Sequence, residues 1–260
     1  MSGKRQNFEM KLKYNIQVPL DSPERTLIHR EIIKRKLFLK KLYLEWYNLF
    51  KKETRNLPDG LLLELGSGGG FLKEEMPAVI CSDILPLPAN DMTFSALEMP
   101  FQDNSVSGIF MIDTFHHIPD SDRFLFEAKR ILKKGGILIM IEPANSFWGR
   151  FIYKNFHHEP FNRKGNWKIP QKGPLSGANG ALPWIVFERD KELFRKKFSA
   201  LEIVKINYHT PLRYLISGGV SFRQVVPNFT YAFFRSLDRF MASVSPQISM
   251  FMTIKIRKKS

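Results

Sequence analysis

The run Leu65-Gly66-Ser67-Gly68-Gly69-Gly70 follows directly on an apolar stretch, residues 61–65. Glycines this dense cost chain entropy; in return the backbone can turn tightly and come close to a ligand. One acid, Glu64, stands just ahead of them, and a second, Asp83, closes the next apolar stretch. A carboxylate at the end of a strand can accept both hydroxyls of a ribose. Two histidine pairs complete the set: His116-His117, and His157-His158 with Glu159 behind it. Histidine is a common general base near neutral pH wherever an acceptor must lose a proton. The second pair has half the composition of a metal site. No cysteine lies near it and no further His/Asp cluster stands at ligand spacing, so no metal is expected.

Two common ligands do not match the glycine pattern. A dinucleotide turn requires GxGxxG, but the third slot holds Phe71, and the spacing is instead Gly66-x-Gly68-x-Gly70. A phosphate loop requires Gly-Lys followed by Ser or Thr, which is absent.

These residues need elements to position them. Asp21-Ser22-Pro23-Glu24 reads as a helix start, with a capping side chain, a proline in the first turn and an acid at the positive end of the dipole. A long helix is predicted from there to about residue 53, with Leu39, Leu42, Tyr43 and Trp46 on its apolar stripe and Lys34, Arg35 and Lys36 facing solvent. Asn56-Leu57-Pro58-Asp59-Gly60 ends it. Strands are then expected at 61–65, 78–82, 92–97, 107–112 and 136–141, with a helix-like chain after Gly70 and a helix at 120–133. Lys133-Lys134-Gly135-Gly136 suits a helix C-terminus. This alternation predicts an α/β fold built on a doubly wound, mostly parallel sheet.

Residues 146–189 lose the pattern and are expected to form an irregular insertion or lid. Regularity returns with a helix at 190–198, a strand at 201–208, a helix at 228–244 and a last strand at 247–256. On the 228–244 helix, Phe229, Phe233, Leu237, Phe240 and Met241 share one stripe. Packing against the sheet is the favoured reading of that stripe, with docking at a bilayer as the alternative.

Charge is unevenly distributed. The net charge of +15 hides an acidic centre: residues 60–145 carry 6 Lys and Arg against 12 Asp and Glu. Residues 146–260 carry 20 against 6, interleaved with Trp148, Trp167, Trp184 and many phenylalanines. Such a basic, aromatic part suits an anionic partner: a membrane surface is preferred, with RNA as the second reading. One cysteine, Cys81, excludes an intramolecular disulfide framework and suits the cytoplasm. The first residues, MSGKRQNFEMKLKYN, lack the apolar run of a secretory signal, and no stretch of about 20 apolar residues predicts a spanning helix.

Taken in order, several motifs between residues 60 and 145 resemble the class I S-adenosylmethionine-dependent methyltransferases, in particular the small-molecule type often called type 11. They are Glu64-Leu65-Gly66-Ser67-Gly68-Gly69-Gly70, Ser82-Asp83-Ile84, Leu97-Glu98-Met99-Pro100-Phe101-Gln102-Asp103-Asn104-Ser105-Val106 and Asp113-Thr114-Phe115-His116-His117. The run Glu127-Ala128-Lys129-Arg130-Ile131-Leu132-Lys133-Lys134-Gly135-Gly136, continuing to Glu142-Pro143, completes them. The resemblance implies a Rossmann-like, seven-stranded sheet whose last strand is antiparallel. It implies S-adenosyl-L-methionine as cofactor, a sulfonium cation suited to the acidic centre. It also implies that Glu64, Gly66, Ser67 and Gly68 hold the amino-acid head, that Asp83 and Ile84 hold the ribose side, and that Ser95, Ala96 and Asp113 lie against the cofactor. Two slots depart from the family pattern. An acid usually precedes the small residue where Ser95-Ala96 stands, and an Asp usually occupies the position of Ser107.

The domain organisation expected is an N-terminal helical extension, 1–59, and a methyltransferase domain, 60–260. Within the latter, 146–189 would be the lid and 210–245 a helical region on the substrate side. His117, His158 and His116 are the candidate catalytic bases. No Asn-Pro-Pro-Tyr sequence follows the fourth strand, which by resemblance argues against adenine and glutamine N-methylation. A small-molecule, glycan or lipid-linked acceptor remains, at the membrane surface if the basic lobe serves that purpose. RNA methylation and a non-catalytic cofactor-binding scaffold are the alternatives.

Overall fold

A computed structural model describes residues 14–170 and 173–259. Most of the N-terminal stretch read for a secretory signal, residues 1–13, lies outside the described residues. Seven strands form one sheet: β1 (Leu61–Leu65), β2 (Val79–Asp83), β3 (Met92–Thr93), β4 (Val106–Ile112), β5 (Leu132–Pro143), β6 (Leu201–His209) and β7 (Phe251–Lys258). Their spatial order is β3-β2-β1-β4-β5-β7-β6. The first five run parallel, and β7 is antiparallel to both of its neighbours, β5 and β6. The doubly wound sheet with an antiparallel last strand is the architecture expected. β4 and most of β5 are buried on both faces, as their continuous apolar runs require.

The long N-terminal helix is instead two helices, α1 (Pro23–Arg35) and α2 (Leu37–Glu53). The break is at Lys36, whose backbone leaves the helical region at φ −84° and ψ 91°. Lys36 does not face solvent. It is buried, and its ammonium donates to the carbonyls of Gly219 (2.6 Å) and Phe222 (2.8 Å). Burial lowers its pKa to about 8. Seven residues of α2, from Phe38 to Phe50, then enter the core.

Other boundaries shift for local reasons. After the glycine turn only Leu72–Glu75 is helical (α3), because Pro77 follows at once. β3 stops at Thr93, and Ser95 turns the chain by accepting a hydrogen bond from the Leu97 N–H at 3.2 Å. Helix α4 spans Ser121–Ile131, and β5 already begins at Leu132. The insertion is partly regular: α5 (Phe147–Phe156) opens it, capped by Ser146, and α6 (Leu182–Trp184) runs into a π-helical turn, Ile185–Arg189. α7 (Lys191–Lys197) and α8 (Arg213–Ser217) flank β6. The last strand begins four residues later than expected, since Pro246–Ile248 forms a 3-10 turn.

Helix α9 (Tyr231–Val244) corrects the packing reading of its stripe. Phe229, Phe233 and Phe240 are 86%, 67% and 65% exposed. The inward face is made by Tyr231 and Asp238, with Phe234 packed on the core and Leu237 and Met241 of the stripe half-buried. Asp238 pairs with Arg213 at 2.7 Å, and Arg213 reaches Glu45 on α2 at 2.8 Å. A polar anchor thus holds this helix and leaves its aromatic side outward.

Candidate active site

The parallel strands β1, β2 and β4 end around one cavity of about 490 Å³, within the range of small-molecule sites. At the end of β1 the chain turns through Gly66 (φ +65°) and Gly68 (φ +47°). A side chain at Gly66 would meet Thr114 Cγ2 at 2.3 Å, so this glycine is required by space as well as by conformation. Glu64 is buried beneath the turn, where burial raises its pKa and the Cys81 thiol donates to it at 3.1 Å.

Asp83 closes β2. Its two carboxylate oxygens accept the Gly68 N–H (3.0 Å) and the Leu85 N–H (2.9 Å). Burial raises its pKa, and these backbone donors oppose the rise. Two of its roughly four lone-pair sites are used, which leaves acceptor capacity toward the cavity it lines. Ile84, Phe94, Ser95, Ala96 and Leu97 continue the same wall. Asp113, just past β4, has φ +51° and also lines the cavity. Burial pushes its pKa up to about 7, with the His116 charge opposing and Glu142 and Glu159 adding to the rise.

One buried hydroxyl of the cavity lining, Thr26 Oγ1, has no hydrogen-bond partner in the chain. Buried polar groups are almost always paired. A buried hydroxyl left without a partner in the lining of a cavity fits a polar ligand.

The roof comes from outside the segment that carries the motifs. α1 supplies Thr26 and His29, α2 supplies Tyr43, and Tyr214 comes from α8. The insertion contributes Ile169 and Leu175. One carboxylate joins the two parts of the roof. Asp21 accepts the Leu175 N–H (2.7 Å), the Ser176 N–H (2.8 Å) and the Ser176 hydroxyl (2.6 Å). Ser22, beside it, is the cap of α1.

The histidines separate by environment. His116 is 2% exposed. Its Nδ1 lies 2.7 Å from Glu142 and its Nε2 3.1 Å from Glu159. Burial alone would push its pKa down, but the two carboxylates outweigh it and hold the ring as an imidazolium. With a proton on each nitrogen the ring has no lone pair to offer. His116, His117 and Glu159 lie close enough together to share a metal ion, as do His157, His158 and Glu159. Glu142 also accepts the Thr114 and Phe115 N–H groups at 2.9 and 2.7 Å, so it organises the turn after β4.

His117 faces the cavity. Its Nδ1 is 2.9 Å from the Gly177 carbonyl, which can only accept, so the proton is assigned to Nδ1; Nε2 keeps its lone pair and lies 3.7 Å from Glu159 Oε1. Burial, followed by the charge on His116, lowers its pKa to about 4. His158 is exposed, 3.7 Å from Glu159, and does not line the cavity.

The structure therefore brings Glu64, Gly66, Ser67, Gly68, Asp83, Ile84, Ser95, Ala96, Asp113 and His117 to one cavity. Sequence reasoning did not assign Thr26, His29, Tyr43 or Tyr214 to the site. Only long-range packing brings them there, and no local spacing announces it. Asp21 carried a signal of sorts: with Ser22 available as the cap, the acid next to it was free for another task.

Residues 63–140 match the family model described as a methyltransferase domain. Among solved structures, similarity extends to a SAM-dependent methyltransferase of Thermotoga maritima, described as a possible histamine N-methyltransferase. It is 20% identical, covers 91% of this chain and 94% of its own, and has a TM-score of 0.51. A geranyl diphosphate C-methyltransferase from Streptomyces coelicolor A3(2), solved with Mg2+, geranyl diphosphate and S-adenosyl-L-homocysteine, is 13% identical. It covers 95% of this chain and 92% of its own, at a TM-score of 0.50. At these identities the likeness is one of fold.

Proposed function

We propose that this chain is a class I S-adenosylmethionine-dependent methyltransferase whose small-molecule, glycan or lipid-linked acceptor is held beside His117 under the roof of α1, α2 and the insertion. What supports this reading is that Asp83 and His117 line one and the same cavity.

The cofactor fits the residues present. Asp83 would accept the ribose hydroxyls. Thr26 would give its unpaired hydroxyl to the polar head, which Ser67 would also meet, with Glu64 and Asp113 as the nearby carboxylates that favour its cationic amino group. Ile84, Phe94 and Leu97 would cover the base, and Ser95 would meet its polar edge without a charge. When bound, the cofactor supplies the methyl group on a good leaving group, so the protein's task is alignment and exclusion of water. His117 Nε2 is the group able to take a proton from an acceptor hydroxyl. His116 keeps Glu159, and with it the insertion, in place.

A lipid-linked acceptor at the membrane surface is supported by the charge and aromatic content of residues 146–260. Incubation with methyl-labelled cofactor and a fractionated cell extract tests the acceptor class. Label in lipid or glycan supports the reading, and label in RNA or protein overturns it. Cofactor binding by calorimetry with no transfer to any fraction would instead support a scaffold.

A further inference from the structure

Six large apolar side chains form an outward face on two helices. Phe229, Phe233, Phe240 and Val244 recur along α9 and the turn before it, at spacings that place them within about a sixth of the helix circumference. Phe147 and Phe151 stand one turn apart on α5 and are 67% and 47% exposed. Both helices pack on the 3-10 turn Pro246–Ile248, where the Phe147 N–H donates to the Gln247 side chain at 3.0 Å. The two sets therefore meet around that turn. Aromatic surface of this extent is seldom left to water without a purpose.

The charge around it is mostly of one sign, since Glu45, beside Phe229, is paired with Arg213 and Arg235. α5 has no acid and carries Arg150 and Lys154. From residue 211 to residue 250 the sole acid is Asp238, which is buried on Arg213, while Arg223 and Arg239 are exposed. Aromatic side chains edged by Arg and Lys, with no exposed acid among them, complement an anionic bilayer. They would repel the same face on a second copy of a chain with net charge +15.

Topology places this face beside the chemistry. α5 begins just past the end of β5, and the turn at 246–248 precedes β7, whose Phe251 pairs with Pro143 at that same end. Both lie at the edge of the sheet where the parallel strands finish, which is the edge that holds the cavity. Among the described residues no helix is long and apolar enough to cross a membrane. A surface contact is therefore the mode this face offers.

We propose that the aromatic face of α5 and α9 docks on anionic lipid and sets the cavity edge against the bilayer. The inference gives a surface to the lipid-linked reading above, but vesicle binding needs neither cofactor nor acceptor, so the two can fail separately.

The test is sedimentation of the full chain with vesicles of phosphatidylcholine alone and with phosphatidylglycerol added. Binding to the anionic vesicles, weakened by salt, is expected. F233S/F240S, changed at exposed positions, should weaken that binding about tenfold or more while leaving cofactor affinity unchanged. R223E/R239E should weaken it and flatten its salt dependence. No binding to anionic vesicles overturns the proposal. So does binding that the phenylalanine variant leaves intact, which would be bulk charge attraction only. A dimer in sedimentation velocity that F233S/F240S dissociates would assign the face to a second copy and overturn it as well.

Discussion

His116, in the turn after β4, places Nε2 3.1 Å from the carboxylate of Glu159 in the insertion, while its Nδ1 holds Glu142 at the end of β5. One imidazolium thus ties the insertion to the sheet edge. Glu159→Gln should break that tie at a cost of about 3 kcal/mol, the usual scale for a broken buried pair. The melting temperature should fall by roughly 6–12 °C, and residues 173–177 should lose hydrogen-exchange protection before the core does. The pH window follows from the two shifts. The raised pKa of His116 gives stability that is fully present below its unfolded value of 6.5 and is lost as pH rises through the folded one. The depressed pKa of Glu159 gives stability present above its unfolded value and lost as pH falls through the folded one. Glu159→Gln should flatten both limbs of the stability profile.

Asp83→Ala removes the carboxylate proposed to accept the ribose hydroxyls, and leaves the Gly68 N–H unpaired. Cofactor affinity measured by calorimetry should fall about 10- to 100-fold, the equivalent of one or two hydrogen bonds to a charged group. Unchanged affinity would remove the ribose role.

Asp113 titrates at about 7, so its carboxylate forms across the neutral range. Affinity for the cationic head of the cofactor should rise from pH 6 to pH 8, with a proton released on binding. Calorimetry in buffers of different ionisation enthalpy reads that proton. Asp113→Asn should flatten the profile and abolish the release.

His117 is neutral above about pH 4. The acid limb of kcat should accordingly fall near 4 rather than near the ordinary 6.5 of histidine. His117→Gln should lower kcat by about 10²–10⁴ for a hydroxyl acceptor and leave the cofactor Kd unchanged. A rate that does not change would mean an acceptor atom that needs no base.

The sheet was legible because its signals are local. Apolar runs at 61–65 and 107–112, and acids or glycines at strand ends, announce strands and what stands beyond them. Asp83 stands out in this way, whereas Glu64 and Asp113 follow from the resemblance of the motifs around them. The roof was not legible, because Tyr43 and Tyr214 meet only through packing across more than a hundred positions. Lys36 and the α9 stripe failed for a related reason. Helical spacing says which residues share a face, but not which face turns inward. On α9 a buried Asp238–Arg213 pair decides that, against the hydrophobicity of the other side.

The Asp21 contact with Leu175 and Ser176 bears on modularity. The segment that matches a methyltransferase domain, residues 63–140, contains the turn, both strand-end acids and His117, but none of the roof. Excised, it would expose Phe71 and the floor of its own cavity to water, and the carboxylate that joins the two parts of the roof would be missing. The recognisable domain is thus a half-site. The portable unit must run from Asp21 through β7, which joins β6 to the rest of the sheet, and a graft or truncation drawn at the family boundaries would keep the motifs and lose the roof.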